Sequence, residues 1–273
     1  MNIKKLSIHL LILLGGLMIV NPIIINWLFR IQFFTPLTTY SHYWLHPNLL
    51  AGGILVSILM IIIFYVGRLD LKSVFLSGSH LRNAFLPFII IIIGSNVSVM
   101  VMNLLREQPI ALVEQGNVLI GRFAGQLFGN ALYEELLFRG IFFIQLYLIF
   151  QIKFSRKAAL LFSLISAEIL FALSHIPNRL WVNTPDHLWV NILALFFAGV
   201  LLNLIFIFTE NLAYMVGIHA LANVPFVIFQ GHPGDVSLIT RVLIILVSIS
   251  WYVFHGTNQK RWMWTTLFGK PKS

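Results

Sequence analysis

An all-α fold, a polytopic membrane bundle of about eight transmembrane helices, is what this sequence predicts, on three observations. Of its 273 residues 59% are hydrophobic and only 10% are charged, with a mean hydropathy of +0.89. A soluble domain carries roughly 25% charged residues, so this chain has too few to cover a water-facing surface. Apolar runs recur along its whole length, and crossing a bilayer core takes about 20 such residues. The basic residues, which give a net charge of +9, sit in the short connections between those runs.

The runs fall at approximately 6–29, 48–67, 84–104, 119–138 (extendable to 151), 158–175, 188–209, 211–230 and 238–255. The first follows Met1-Asn2-Ile3-Lys4-Lys5 and has no small-x-small cleavage pattern before Asn26-Trp27, so it reads as a retained span. Lys4, Lys5, Arg68, Lys72, Arg82, Lys153, Arg156, Lys157, Lys260, Arg261, Lys270 and Lys272 alternate onto one side. Arg30, Arg106, Arg179 and Asp235 occupy the other, and the positive-inside rule then places both termini in the cytoplasm of a multi-pass cell-membrane protein. Trp27, Trp44, Trp181, Trp189, Trp251, Trp262 and Trp264 lie near the expected span ends, as an aromatic belt would. Basic residues confined to connections fit anionic headgroups and speak against a nucleic-acid partner. The absence of cysteine excludes disulfides and thiolate metal sites. Residues 1–273 read as a single membrane domain, with N-terminal spans over 1–118 and a cytoplasmic tail at 256–273.

Gly121, Gly125 and Gly129 recur at four-residue spacing in the fourth run. A face of small residues lets a neighbouring helix backbone approach closely. That helix leads into the polar residues that an apolar bundle should not contain.

Glu134, Glu135 and Glu168 alone among the acidic residues fall inside apolar runs. An ionisable group near the bilayer centre costs roughly 2.5–3.5 kcal/mol on insertion scales, so it marks function by default. Glu135 and Arg139, four apart, share a helix face and can pair. Glu134 points about 100° away. A structural salt bridge accounts for Glu135 and Arg139 but leaves Glu134 unexplained. His175 closes the next run, and His219 with Asn223 shares one face of the seventh. Singly, such a histidine more often makes an interhelical hydrogen bond; beside two glutamates the set points to catalysis. Counting about 20 residues either way from Ser155 reaches Glu135 and His175, each roughly 30 Å from the turn, so antiparallel neighbours meet at equal depth. His219 lies only about eight residues, roughly 12 Å, past the turn near Glu210. Equal depth therefore requires the 140–157 hairpin to project beyond the bilayer into the cytoplasm.

Glu134-Glu135-x-x-x-Arg139, Phe171-x-x-x-His175 and His219-x-x-x-Asn223 together resemble the CPBP family of intramembrane proteases, also called Abi or type II CAAX prenyl endopeptidases. The resemblance covers 119–226, which would be the catalytic core. It implies an endopeptidase that hydrolyses a peptide bond of a membrane-associated or lipid-modified peptide or protein. Glu134 and His175 would activate water, His219 and Asn223 would hold the oxyanion, and Arg139 would position Glu135. Glu134, His175 and His219 would also suit a three-ligand zinc site, while a metal-free glutamate mechanism uses the same residues differently. Other readings are a non-proteolytic membrane regulator or bacteriocin-immunity partner, and a transporter. A transporter would ideally show two related halves, and none is visible here.

Overall fold

The computed structural model describes residues 3–182 and 187–255. The tail at 256–273, with Trp262, Trp264 and its four basic residues, lies outside them. Helix α1 is Ile8–Arg30, α2 the short Thr35–Tyr40, α3 Pro47–Val66 and α4 Gly78–Leu105. Helix α5 runs unbroken over 116–150, and α6 (Arg156–Ser174) leads into the short extension α7 (Ile176–Val182) of about two turns. Helices α8 (Leu188–Thr209), α9 (Leu212–Asn223) and α10 (Pro233–His255) complete the bundle. Among the described residues there are no strands, only an isolated bridge between Leu112 and Phe229.

Burial follows from apolar surroundings on both sides. On α1 only Leu10, Leu14, Met18 and Asn21 are buried, a stripe at helical spacing, while Ile12, Ile19, Ile23 and Ile24 are exposed. The same narrow stripe recurs on α4 as Ala84, Ile91, Ser95, Val99 and Asn103. Exposed isoleucines and leucines are what a lipid-facing helix presents. Helix α5 is the opposite case: from Leu136 to Ile144 every residue is buried, so it is the central post of the bundle. Two of its stretches, Gln126–Asn130 and Leu136–Phe143, widen into i→i+5 turns on either side of the glutamate pair. Such widened turns are frequent at functional sites.

The glycine stripe of α5 has α3 and the chain entering it as its partner. A Cβ on Gly121 would strike the Tyr43 carbonyl, one on Gly125 would lie 3.1 Å from the Leu49 nitrogen, and one on Gly129 would meet the Asn48 carbonyl. Gly52 faces Gly129 directly, so neither side of this crossing admits a methyl group.

Eight crossings were expected. Six helices are long and apolar enough to span a bilayer: α1, α3, α4, Arg156–Leu180, α8 and Pro233–Trp251. Helix α5 has the length but carries Arg122, Glu134, Glu135 and Arg139. The seventh run, expected to be helical over 211–230, is helical only for the 12 residues of α9. At 1.5 Å per residue that is about 18 Å, too short for a core of about 30 Å. Past Asn223 the chain is extended, and its backbone groups are met from neighbouring elements. Asn96 of α4 donates to the Phe226 carbonyl and accepts from the Ile228 amide, both at 2.9 Å. Asn103 donates to the Gln230 carbonyl at 2.7 Å, while the Val113 and Gln230 amides donate to the Ile228 and Ala111 carbonyls. Non-helical backbone among apolar helices is tolerated only where protein satisfies it. The helix stops where Pro225 follows Val224, as a proline requires.

At the opposite end Lys4 donates to the Gly67 carbonyl, and Gln145 joins Leu6 and Lys4 to α5. Leu212, the first residue of α9, packs beside Gly140 and donates its amide to the Phe75 carbonyl. The α5–α6 hairpin, capped by Ser155, therefore continues well past the start of α9. The aromatic belt holds for Trp27, Trp44 and Trp189, which are exposed, but not for Trp251. That ring is buried against Tyr214, their centroids 4.7 Å apart, because α10 turns this face into the bundle.

Candidate active site

Adjacent positions on α5 send Glu134 and Glu135 to different surroundings. Glu135 is fully buried and points to Arg139, whose NH1 donates to its Oε1 at 3.1 Å. That pairing is the i,i+4 contact that helix geometry dictates. The guanidinium also reaches across to α6 and α8, donating from NH2 to Glu168 Oε2 at 2.9 Å and to the Gly199 carbonyl at 3.1 Å. Glu168 Oε1 accepts from Asn203 of α8 at 2.8 Å. Arg139 further lies over the Phe171 ring, 4.6 Å from its centroid. Glu135, Arg139 and Glu168 are all 0% exposed, so one buried cation serves two buried carboxylates.

Glu134, on the adjoining face, has His175 Nε2 at 3.7 Å from one oxygen and His219 Nε2 at 3.6 Å from the other. The hairpin count thus brings Glu134 and His175 together. The α9 histidine that the count fitted least well joins them. Both rings are held from behind: His175 Nδ1 lies 2.8 Å from the Phe171 carbonyl and His219 Nδ1 2.6 Å from Glu135 Oε1. Carbonyl and carboxylate oxygens only accept, so both Nδ1 atoms carry a proton and each ring turns its Nε2 toward Glu134. Two imidazole Nε2 atoms and a carboxylate face one another there.

Asn223, one turn after His219, donates to Gln126 Oε1 at 3.1 Å. Glu134, His175, His219 and Asn223 line one cavity of about 350 Å³. Its far wall is α1 with Met18, Asn21, Pro22, Ile25 and Asn26, and Tyr133, Phe138, Asn178 and Arg179 complete the enclosure. Asn21 donates to the Tyr133 hydroxyl at 2.8 Å and Asn178 to Asn26 at 2.9 Å, which pins α1 across the site.

All six sequence-identified residues therefore fall in one cluster, Glu135 and Arg139 behind it and the other four on the cavity. For zinc, the donor types of Glu134, His175 and His219 are suitable. Among the described residues, however, no group of three histidine, aspartate or glutamate side chains is arranged to hold a metal ion. Sequence reasoning noticed Glu168 as a misplaced acid but assigned it nothing. It missed Gln126, Asn203, Tyr133 and the α1 asparagines, whose only signal was a polar residue in an apolar run.

Fold and site together define a multi-pass membrane protein with an ionisable centre enclosed by its helices. Residues 116–225 match the family model of the type II CAAX prenyl endopeptidase Rce1-like proteins. This matched stretch holds the three motifs, and it is the part of the chain that is similar to that family. No curated protein and no solved structure matches the chain.

Proposed function

We propose that the chain is an intramembrane endopeptidase whose general base is Glu134, acting with His175 on one water molecule. The observation that carries this is the Glu134 carboxylate bracketed at 3.7 and 3.6 Å by two Nε2 atoms on the wall of the cavity. A water bound between them donates its hydrogens to the Glu134 carboxylate and to His175 Nε2, which turns its oxygen lone pair toward the substrate. That oxygen attacks the peptide carbonyl carbon while Glu134 takes the proton. Asn223 keeps one amide hydrogen beyond the bond to Gln126 and donates it to the developing oxyanion. His219 enters the step already as the imidazolium, held between the Glu134 and Glu135 carboxylates, and donates from Nε2 to the oxyanion and from Nδ1 to Glu135. Collapse of the tetrahedral intermediate breaks the C–N bond, and Glu134 returns its proton to the leaving amine. Base catalysis of this kind contributes typically 10²–10⁴-fold, and preorganised oxyanion donors are often the larger share.

The substrate is a membrane-associated or lipid-modified peptide or protein, a reading supported by α1, a helix long and apolar enough to cross a bilayer, forming one wall of the cavity. We place the catalytic core at 119–226 of a single membrane domain, in the cell membrane with both termini cytoplasmic. The convergence of Lys4, Gly67 and the α5–α6 hairpin at one end supports that orientation.

The test uses full-length protein and a panel of fluorogenic peptides anchored in detergent micelles. Glu134→Gln and His175→Ala should each lower the rate per folded molecule at least ~10²-fold, and the double variant should be little worse than either, as expected of groups sharing one water. Cleavage that survives Glu134→Gln, or multiplicative losses in the double variant, overturns the shared-water assignment. Repeating the wild-type assay after chelation decides the metal question: loss of activity restored by zinc would replace the metal-free scheme.

A further inference from the structure

We infer that Glu168 is a positioning residue for His219, acting through Arg139 and Glu135; the inference rests on the proteolytic reading of the site above. Glu168 is on α6, two helical turns before His175, is 0% exposed, and touches none of the cavity. Nothing in the proposed chemistry uses it, yet its placement is over-determined. Asn203 donates to one oxygen and Arg139 to the other, at 2.8 and 2.9 Å. Position 199 must be glycine, because a Cβ there would strike Glu168 Oε2.

The consequence lies in how Arg139 is shared. A guanidinium prefers to meet one carboxylate with two parallel hydrogen bonds. Here only NH1 reaches Glu135, while NH2 is drawn to Glu168 and the Gly199 carbonyl. Glu135 Oε2 is buried and has no partner, so the second half of a bidentate pair is available and untaken. Oε1, bonded only once by Arg139, lies 2.6 Å from His219 Nδ1. Glu168 thus pulls the arginine off the two-oxygen geometry and keeps Glu135 turned toward His219. That orientation fixes the proton on Nδ1 and aims Nε2 at Glu134 and the substrate carbonyl. Without the charge of Glu168, Arg139 would close on both oxygens of Glu135, and the carboxylate would rotate away from the imidazole.

The isosteric Glu168→Gln keeps volume and hydrogen-bonding capacity and removes only the charge. It should lower kcat at least tenfold with KM within twofold of wild type, since no substrate contact changes. In ¹⁵N-histidine-labelled protein the His219 Nδ1 and Nε2 resonances should shift as the bond to Glu135 is lost, while those of His175, held by the Phe171 carbonyl, stay put. A side chain that merely fills space would be rescued by glutamine, so wild-type kcat together with unchanged His219 resonances overturns the proposal. Should the glutamine variant not fold, Asn203→Ala loosens Glu168 without touching Arg139. It should shift the same His219 resonances in the same direction, and an unshifted spectrum is again a refutation. The spectrum is readable in protein that cleaves nothing. Shifted resonances with no wild-type proteolysis would sink the enzymatic reading and keep the positioning one.

Discussion

Replacing Arg139 by methionine tests the whole buried cluster at once. The methionine stem follows the arginine stem and keeps most of its packing, so the change removes a charge and a fork of donors rather than creating a large void. Glu135 and Glu168 are both 0% exposed, and Arg139 is the cation bonded to each. Breaking a buried pair by deleting one partner typically costs about 3–5 kcal/mol, because the remaining charge is left uncompensated. Here two carboxylates are left rather than one, and the contact with the Phe171 face goes as well. The expected loss is therefore at the upper end, about 5 kcal/mol, against a usual total of about 5–15 kcal/mol. Arg139→Met should express poorly and unfold at markedly lower denaturant in detergent, followed by near-UV circular dichroism. Adding Glu168→Gln removes one stranded charge and should recover roughly half of the loss. An Arg139→Met protein within about 1 kcal/mol of wild type would show that the cluster is solvated or protonated in the native state, and the account of Glu135 would fall with it.

Gly129→Ala drives a methyl group into the Asn48 carbonyl at the α3–α5 crossing, and overpacking of this kind costs typically 1–3 kcal/mol; Gly53→Ala, where a Cβ meets nothing within 4 Å, should be silent in the same thermal-unfolding assay. Asn96→Leu strips both backbone partners from the extended segment after α9. At about 1–3 kcal/mol for each buried group left unpaired, it should destabilise and raise amide exchange at Ile228. Reporters inserted at Ser155 and at Gln108 should label opposite sides of the membrane, and labelling on one side would refute the count of crossings. Asn26→Ala removes the contact of α1 with Asn178 but no catalytic group. It should change the KM for large peptides by a fewfold while leaving unfolding nearly unchanged.

The sequence by itself determined whatever depends on spacing along one helix or on counting along two. The Glu135–Arg139 pair follows from an i,i+4 register, the glycine face of α5 from a four-residue period, and the approach of Glu134 to His175 from equal arms about Ser155. The lipid-facing character of the bundle follows from composition alone. None of these needs to know how a helix is rotated about its axis or which of several neighbours it meets. Tertiary structure decided those things. It gave Arg139 a second carboxylate from α6, set His219 between Glu134 and Glu135, and turned Trp251 inward onto Tyr214. It also ended α9 after 12 residues, because Asn96, Asn103 and the 111–113 segment supply the hydrogen bonds that an unwound chain would otherwise lack. An apolar run of twenty residues looks the same on paper whether its backbone bonds are closed within the helix or by a neighbour's asparagine. Only the packed bundle distinguishes the two, since the satisfying groups lie more than 100 residues away in the chain.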